Sequence, residues 1–277
     1  MLARIKRSVA YVTMKEWKKA ALRKAALPRY LGTSHECSVC GAHLRAFRPV
    51  WKSYLRNMRE YGYVYPVSSI ETLNLAAYTC PACDASDRER LYALHFERVM
   101  PTLDKNRRYR LVEFAPAPGR GLQKKLQAWP FIEYRSADLV LQTVDDRLDI
   151  TDMCSYADAS VDFFLCSHVL EHVPDDRKAM RELRRILKAD GFGIIMVPLV
   201  HGVEDTHEDP AINTHALRWK HYGLADHVRQ YGKRDFLDRL AEAGFRVDQL
   251  GIDHFGKESF HRFGLADDSV LYVVRRA

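Results

Sequence analysis

Short apolar strands alternate with amphipathic helices from residue 109 to the end of the chain, and this alternation constrains the fold most strongly. The pattern is typical of an α/β protein whose doubly wound sheet is covered by helices on both faces. The last two strands have no obvious helix between them, which predicts an antiparallel hairpin at the sheet edge. The predicted strands span residues 109–115, 132–137, 161–167, 192–197, 245–251 and 269–275, and the predicted helices span residues 119–128, 174–188 and 233–243.

The excess of positive charge is confined to the first 30 residues. The 277-residue chain carries a net charge of +7, with 43 Lys and Arg against 36 Asp and Glu. Residues 1–30 contain nine basic side chains and one acidic side chain, so the remaining chain is nearly neutral at −1. This balance argues against a nucleic-acid-binding surface over the body of the protein, and no apolar run reaches the ~18–20 residues that span a bilayer.

The basic N-terminal segment has a helical pattern, with Leu2, Ile5, Val9 and Val12 on one stripe and Pro28 near its end. Basic residues beside apolar side chains favour a helix that lies on an anionic membrane surface. A solvated basic helix packed on the body is an equally good interpretation, and a transit peptide is a third. Without a secretory signal, the chain is expected to be cytoplasmic, and peripheral at the inner membrane face under the first interpretation.

Four of the six cysteines form two CxxC pairs, Cys37-Ser-Val-Cys40 and Cys80-Pro-Ala-Cys83, separated by 39 residues. Each pair turns the chain so that two thiolates face one point, and two pairs complete the tetrahedral shell of a structural Zn²⁺. Free buried thiols in a reduced protein are the alternative. The long separation means that residues 44–78 form an additional segment between the two pairs, which we call the excursion.

The segment Ser167-His-Val-Leu-Glu-His-Val-Pro-Asp175, followed by a helix, Leu-Lys-Ala-Asp-Gly and a strand, carries a family resemblance. Together with the terminal strand pair, it resembles class I S-adenosylmethionine-dependent methyltransferases of the type 11 branch over residues 105–277. The resemblance implies a Rossmann-like, seven-stranded methyltransferase sheet and S-adenosyl-L-methionine as the cofactor. The attached zinc module is similar to that of a bacterial subgroup associated with surface-glycan biosynthesis.

These features divide the chain into three parts. A basic helix is predicted for residues 1–30, a zinc-binding module with a linking helix for residues 31–100, and the methyltransferase domain for residues 101–277. Asp84 or Ser86 is expected to cap the linking helix.

Ligands of open α/β sheets bind beyond the carboxyl ends of the strands, where the strand order reverses. The loop after the first predicted strand should bind the methionine carboxylate through backbone N–H groups, and acids at later strand ends should bind the ribose and the adenine. The predicted cofactor-binding residues are Glu113, Ala115, Pro116 and Gly119 in the loop, Asp138 and Leu139 at the ribose, Asp149 and Ile150 at the adenine, and Ser167 and His168 at the methyl donor.

The cofactor loop departs from the family pattern Glu-x-Gly-x-Gly-x-Gly. Here it is Glu113-Phe-Ala115-Pro-Ala117-Pro-Gly119, so alanine replaces two glycines and prolines stand between them. Alanine disfavours positive φ, and each proline lacks a backbone donor. The loop is therefore expected either to bind the cofactor with a modified geometry or to have lost it.

Residues 198–232 form a long insertion that contains five of the twelve histidines and is expected to shape the acceptor pocket. His227 and Arg229 are the preferred pair, a catalytic base and a cation that binds an anionic acceptor. His207 is a further predicted substrate contact.

His168 and His172 are rival catalytic bases, because they belong to the motif that borders the cofactor. A divalent ion is an alternative use of the acidic and histidine side chains in this region. Its candidate ligands are Glu171, His172, His207 and Glu208.

The leading functional hypothesis is O-methylation of a small-molecule or carrier-linked acceptor, such as a glycan or phosphorylated sugar at the inner membrane face. An rRNA base methyltransferase is the first alternative. The neutral body and Ser167-His-Val-Leu170, in place of an Asn/Asp-Pro-Pro-aromatic tetrapeptide, argue against it, so nucleic acid is not an expected partner. The substituted loop motivates a second alternative, a non-catalytic zinc-bearing interaction protein on a degenerate methyltransferase scaffold.

Overall fold

The computed structural model describes residues 25–117 and 119–277. In these residues, seven strands form one sheet and two strands form a small antiparallel ladder in the cysteine module. The strands are β1 Leu31–Glu36, β2 His43–Leu44, β3 Tyr109–Phe114, β4 Ile132–Asp138, β5 Asp146–Arg147, β6 Val161–Ser167, β7 Leu187–Met196, β8 Phe245–Leu250 and β9 Leu271–Arg276. The α-helices are α1 Lys52–Glu60, α2 Asp87–Val99, α3 Gly121–Gln127, α4 Asp176–Ile186, α5 His215–Tyr222, α6 Lys233–Glu242, α7 Ile252–Phe255 and α8 Lys257–Arg262. Short 3₁₀ helices span Leu27–Tyr30, Val67–Ser69, Met100–Thr102 and Leu170–His172.

The seven-stranded sheet has the order β5-β4-β3-β6-β7-β9-β8, in which β9 runs antiparallel to both neighbours. The strand order reverses between β3 and β6, which are adjacent and parallel. Phe114 at the end of β3 lies opposite Ala137 of β4 and Cys166 of β6, so the carboxyl ends of all three strands open on one edge. The predicted Rossmann-like, seven-stranded sheet is confirmed, and this edge is where such sheets bind ligands.

The central strands are buried on both faces, which explains their continuous apolar runs. Six of the seven residues of β6 are buried, among them Asp162, whose carboxylate pairs with Arg107 and Lys188. In β7, a side chain at Gly193 would overlap the Phe164 ring, since its Cβ would lie 2.1 Å from Cζ. Close packing between β6 and β7 therefore requires glycine at this position.

Two predicted details of the sheet domain are wrong. The helix predicted as far as residue 188 ends at Ile186, and β7 begins at once at Leu187 instead of residue 192. Leu187 pairs with Val161 of β6 and Lys188 reaches Asp162, so the strand continues through the polar stretch. The predicted antiparallel pairing of the last two strands is confirmed, but the short helices α7 and α8 separate them.

Helix α2 joins the cysteine module to the sheet through one continuous apolar core. Ser86 caps its first turn, and the Glu89 carboxylate accepts a 2.8 Å hydrogen bond from the Ser86 N–H. This reciprocal cap fixes the start of the helix directly after the second CxxC pair. Further along the helix, the buried Phe96 ring packs on Phe192 of β7 with centroids 5.9 Å apart.

A second apolar cluster joins the excursion between the CxxC pairs to the histidine-rich insertion. Tyr61 stacks on Trp219 of α5, with ring centroids 5.6 Å apart and an interplanar angle of 12°. Tyr63 donates a 2.9 Å hydrogen bond to Oε1 of Gln230. The excursion thus covers the insertion, and the two segments enclose a cavity described below.

Part of the predicted basic helix of residues 1–30 lies outside the described residues, which begin at residue 25. Pro118 of the cofactor loop lies outside them as well. Within the described part of the chain, no helix combines the length and the apolar character needed to cross a membrane.

Candidate active site

A cavity of about 660 Å³ opens at the carboxyl ends of β3, β4 and β6. Its walls are mostly apolar, with carboxylates at the rim, as in sites that bind a cofactor of drug-like size. Seven of the predicted site residues line it, and Asp226 lies at its margin. These seven are Ala115, Asp138, Leu139, Asp149, Ile150, His168 and His172.

The Asp138 carboxylate organises the turn that follows β4. Its Oδ1 accepts hydrogen bonds from the N–H groups of Val140 and Leu141 at 2.6 and 2.7 Å. Leu139 and Val140 are left 60% and 71% exposed beside the cavity, although both are apolar. Because Oδ2 takes no part in this turn, it is available to a ligand in the cavity.

A smaller cavity of about 210 Å³ adjoins the large one and shares Ala115 and His168 with it. Its walls bring together one cation, Arg88 of α2, and two acids, Glu89 and Glu113. A site with both charges next to each other suits a zwitterion such as the amino-acid end of a ligand. The walls also include Tyr92 and Ser167, whose hydroxyl oxygens lie 2.6 Å apart.

Burial raises the pKa of Glu113 to about 7, and the hydroxyl of Tyr134 opposes this shift. That hydroxyl donates a hydrogen bond of 2.6 Å to Oε2 of Glu113. Near neutral pH the Glu113 carboxyl is therefore poised between its neutral and ionised forms, at the end of the smaller cavity.

One residue of the cofactor loop takes a backbone conformation that favours glycine. Ala115 has φ of 50°, in the left-handed region, and its N–H donates to the carbonyl of Ala137. Pro116 and Gly119 do not line either cavity. A Cβ at Gly119 would lie 3.4 Å from the Cys83 carbonyl oxygen, so this end of the loop faces the second CxxC pair instead of a ligand.

His168 stands where three cavities meet, and both of its ring nitrogens have close partners. A guanidinium can only donate, so Arg88 Nη1 donates to Nε2 at 2.5 Å, and Nδ1 carries the ring proton. Nδ1 lies 3.2 Å from Oε1 of Glu171. Burial and the Arg88 charge lower the pKa of His168 to about 4. His168 is therefore neutral, without a free lone pair to act as the predicted base.

The third cavity, of about 290 Å³, lies between the cysteine-module excursion and the sheet domain. We call it the acceptor cavity. One wall is aromatic, with Trp51, Tyr54 and Tyr78, and the opposite wall is ionisable. The ionisable side chains on that wall are Arg88, His168, Glu171, His172 and His227.

Glu171 is completely buried in the wall of the acceptor cavity, and neither carboxylate oxygen has a hydrogen-bond partner among the described residues. Burial by itself would raise the pKa of Glu171. The neighbouring imidazoles of His168, His227 and His172 act against burial and lower the pKa of Glu171. A buried carboxyl group thus lies among three imidazoles.

His227 faces the same carboxylate from the histidine-rich insertion. Its Nδ1 donates to the Tyr222 carbonyl at 2.9 Å, so Nε2 keeps its lone pair and lies 3.9 Å from Oε1 of Glu171. The His172 ring meets the His227 ring edge-on, with centroids 4.7 Å apart. His172 Nδ1 lies 3.4 Å from Oδ2 of Asp226. The structure therefore brings all three predicted bases, His168, His172 and His227, to one wall of the acceptor cavity.

Arg229 and His207 do not reach the acceptor cavity, which corrects their prediction as substrate contacts. Arg229 is 1% exposed, and its guanidinium supports the backbone through three carbonyls and pairs with Glu208. His207 packs edge-on against His221 and Tyr222. The predicted metal set that includes His207 and Glu208 is therefore not assembled. The three carbonyls that Arg229 binds belong to Leu170, Val173 and Pro174.

A family model described as a methyltransferase domain matches residues 85–250, which is more than half of the chain. The chain belongs to this family. It is a class I S-adenosylmethionine-dependent methyltransferase, as the sequence resemblance predicted.

Solved structures similar to this methyltransferase share little sequence with it. The [4+2]-cyclase SpnF is 15% identical over 81% of this chain and 92% of its own, with a TM-score of 0.46. The CurJ carbon methyltransferase is 15% identical over 69% of this chain and 58% of its own, with a TM-score of 0.45. A methyltransferase from Archaeoglobus fulgidus is 14% identical over 68% of this chain and 94% of its own, with a TM-score of 0.42. No curated protein sequence matches the chain.

The four cysteines of the CxxC pairs lie together in this methyltransferase. The Sγ atoms of Cys37 and Cys83 are 3.8 Å apart, and those of Cys40 and Cys80 are 3.9 Å apart. Four sulfurs at about 2.3 Å from one tetrahedral ion are separated by roughly 3.8 Å. The spacing therefore fits a shared metal ion, whereas a disulfide requires about 2.05 Å.

Sequence reasoning missed Arg88, Asp226 and the aromatic wall of the acceptor cavity. Arg88 belongs to the first turn of a helix predicted from its cap alone, and Asp226 directly precedes the histidine chosen as the base. The sequence offers one indication that Arg88 belongs to the site, which is that this charged residue follows closely after the second CxxC pair. Nothing in the sequence relates residues 51–78 to the histidines and the glutamate of residues 168–227.

Glu113 should make the stability of the protein depend on pH. Its pKa is raised from 4.5 to about 7, so it contributes stability that is present below about pH 4.5 and lost as the pH rises through about 7. We expect the wild type to lose roughly 2–3 kcal/mol of unfolding free energy between pH 5 and pH 8 relative to Glu113→Gln, which stays neutral. Urea unfolding of both proteins at the two pH values measures this difference.

Glu133→Gln provides the control on the neighbouring strand β4. Glu133 is half exposed and pairs with Arg110 at 3.2 Å, so its replacement should change stability by the same amount at both pH values. A Glu113→Gln effect that is equally independent of pH would contradict the raised pKa.

Proposed function

We propose that this methyltransferase transfers a methyl group to an oxygen atom of a small-molecule or carrier-linked acceptor that carries a sugar or similar ring. The observation that supports this most strongly is that His168 and His172 line both the large cavity and the acceptor cavity. The two cavities thus meet at one short segment after β6. A cofactor in one cavity and an acceptor in the other would face each other there.

The donor set of the large cavity suits S-adenosyl-L-methionine. Asp138 would accept the ribose hydroxyls, and Asp149 and Ile150 would flank the adenine. When bound, the cofactor supplies an electrophilic methyl group. At its methionine end, Arg88 would bind the carboxylate and Glu113 the ammonium, so the side-chain cation takes the place of the backbone N–H groups expected from the sequence.

The acceptor cavity offers an aromatic face opposite a charged one. Trp51 and Tyr78 meet edge to face, with ring centroids 5.3 Å apart, and would pack against the apolar face of a ring. The basic segment of residues 1–30 supports, as a further part of this proposal, acceptors held at an anionic membrane surface.

A hydroxyl of the acceptor would lose its proton at the cluster of Glu171, His172 and His227, which we call the Glu–His cluster. In the absence of a cation, Nε2 of His227 has a free lone pair and would be the base. The Glu171 carboxylate would stabilise the imidazolium that forms. Because Glu171 and His227 are both buried, water has little access to this proton.

We further propose that Cys37, Cys40, Cys80 and Cys83 bind one structural Zn²⁺. The sulfur separations support this, since they match the edges of a tetrahedral thiolate site. Four thiolates leave no open coordination position, so such an ion would hold the fold and not take part in the reaction.

Binding of S-adenosylmethionine should depend on the Asp138 carboxylate. Asp138→Asn keeps an oxygen for the N–H groups of Val140 and Leu141 but removes the charge that would accept two ribose hydroxyls. We expect isothermal titration to show binding about 10–100-fold weaker than in the wild type. Asp253→Asn, at an exposed acid on α7, is the matched control and should bind as the wild type does.

If the folded wild type binds neither S-adenosylmethionine nor S-adenosylhomocysteine, the cofactor assignment fails. The non-catalytic scaffold would then be the better hypothesis.

We expect the methyl group to be transferred to an oxygen atom of the acceptor. With methyl-labelled cofactor and a pool of soluble and lipid-linked glycans, we expect label in a product whose fragmentation places the methyl group on a hydroxyl oxygen. His227→Ala should lower kcat by about 100-fold or more and leave cofactor affinity unchanged. His261→Asn, at an exposed histidine, should leave kcat unchanged. Label on carbon or nitrogen, or label in RNA only, would refute O-methylation.

Loss of the thiolate site should weaken cofactor binding at a distance. Gly119 and Gly121 both pack against Cys83, so disorder in the second CxxC pair would reach the cofactor loop. For Cys80→Ser we expect loss of the EDTA-resistant zinc, a Tm lower by roughly 10 °C, and weaker S-adenosylmethionine binding. Cys154→Ser, at an exposed cysteine, should keep all three properties. Full zinc content in Cys80→Ser would contradict the assignment.

A further inference from the structure

Glu171 occupies an unusual environment for a carboxylate. It is completely buried, its two oxygens have no hydrogen-bond partner within the described residues, and it lines the acceptor cavity. The 3.2 Å approach of His168 Nδ1 to Oε1 lacks the geometry of a hydrogen bond. Burying a carboxylate without such partners is costly, and a metal ion bound in the cavity would offset that cost.

Two imidazoles stand next to this carboxylate with their ligand atoms available. One potential ligand atom from each of Glu171, His172 and His227 lies within 4.8 Å of the others. Ligands at about 2.1 Å from one ion are roughly 3–4 Å apart, so small side-chain rotations would bring the three atoms onto a common ion.

The partners of both imidazoles are of the kind that metal-binding histidines have at the ring nitrogen that does not bind the ion. His227 donates from Nδ1 to the carbonyl of Tyr222, and His172 has its Nδ1 beside the carboxylate of Asp226. A backbone carbonyl or a carboxylate in this position fixes the ring and directs the other nitrogen toward the ion. The surroundings of each ring therefore orient it for coordination.

We propose that the Glu–His cluster binds a divalent transition-metal ion at the wall of the acceptor cavity. Two imidazoles and one carboxylate suit Zn²⁺, Mn²⁺, Fe²⁺ or Co²⁺ more than Mg²⁺ or Ca²⁺, which prefer oxygen ligands. Three protein ligands leave coordination positions open toward the cavity, unlike the closed set of four cysteines.

This proposed metal site and the set of ligands predicted from the sequence share only some of their residues. Glu171 and His172 belong to both sets, but His227 takes the place of His207 and Glu208. The chain returns to the cluster because the N–H of Val228 donates to the Glu171 carbonyl at 2.9 Å. This backbone hydrogen bond holds His227 beside the Leu170–His172 turn.

The catalytic consequence of the ion rests on the proposed function, whereas its binding does not. An acceptor hydroxyl bound at an open position would have a lowered pKa and would release its proton to bulk water through the acceptor cavity near neutral pH. The ion would then replace direct proton transfer to His227. It would also fix the acceptor oxygen at the junction with the large cavity.

Metal binding is tested on the full-length protein with zinc retained in the cysteine cluster and without cofactor or acceptor. We expect uptake of one equivalent of Mn²⁺, followed by electron paramagnetic resonance, with micromolar affinity. Co²⁺ should give the weak visible bands of nitrogen and oxygen ligands, without the intense near-ultraviolet bands of thiolate coordination. This spectrum separates the Glu–His cluster from the cysteines.

Variants then assign the ion to these side chains. Glu171→Gln and His227→Asn each remove a ligand and should abolish Mn²⁺ uptake. Asp226→Asn changes a side chain that is 72% exposed, so the fold should tolerate it, and uptake should weaken about 10–100-fold. His261→Asn, at an exposed histidine that pairs with Asp267, is the control and should bind Mn²⁺ as the wild type does.

Two results would overturn the proposal: no Mn²⁺ or Co²⁺ uptake by the wild type up to millimolar concentrations, or uptake that is unchanged in Glu171→Gln, His227→Asn and Asp226→Asn. Neither result would contradict the proposed methyl transfer. That proposal fails instead if cofactor binding or label transfer is missing.

Discussion

The buried guanidinium of Arg90 holds together the segments from which the active site is built. It is completely buried, and its charge is satisfied by backbone carbonyls from three separate parts of the chain and by the face of the Phe47 ring at 3.8 Å. A buried cation is tolerated only when its donors are used in this way. Arg88, two residues earlier on α2, is thereby fixed at the junction of the cavities. The carbonyls belong to Ala77, Tyr78, Ala85, Phe263 and Gly264.

Because of this arrangement, the cysteine module and the sheet domain together form the walls of the acceptor cavity. The aromatic wall, with Trp51 and Tyr54, comes from the excursion between the CxxC pairs, and the Glu–His cluster comes from the segments around β6 and α5. Neither part encloses the cavity alone. A metal ion in the cysteine cluster would therefore affect the reaction only indirectly. It would hold the start of α2 and the loop at Gly119 in place, and both contribute to the active site.

The sequence allowed the sheet to be predicted better than the site. Strands buried on both faces appear as continuous apolar runs, and β6 has the predicted bounds. The acids at strand ends could be placed because parallel strands end at one edge, as Asp138 does. Arg229 could not be assigned correctly, since a charged side chain in an insertion has the same sequence pattern whether it meets a ligand or backbone carbonyls. The meeting of His227 with Glu171 depends on a long-range return of the chain, which local periodicity does not encode.

Two of the six non-glycine residues that take positive φ in the described part of the chain lie at the carboxyl edge of the sheet. Ala115 follows β3 and His168 follows β6, and both take positive φ, at 50° and 54°, although neither is glycine. Such a conformation costs roughly 1–2 kcal/mol and persists only where the surrounding structure imposes it. At Ala115 the hydrogen bond to Ala137 imposes it, and at His168 the contacts with Arg88 and Glu171 do so. Ala115, which stands where the family pattern has glycine, thus takes the left-handed conformation that glycine favours, because its hydrogen bond to β4 holds it there.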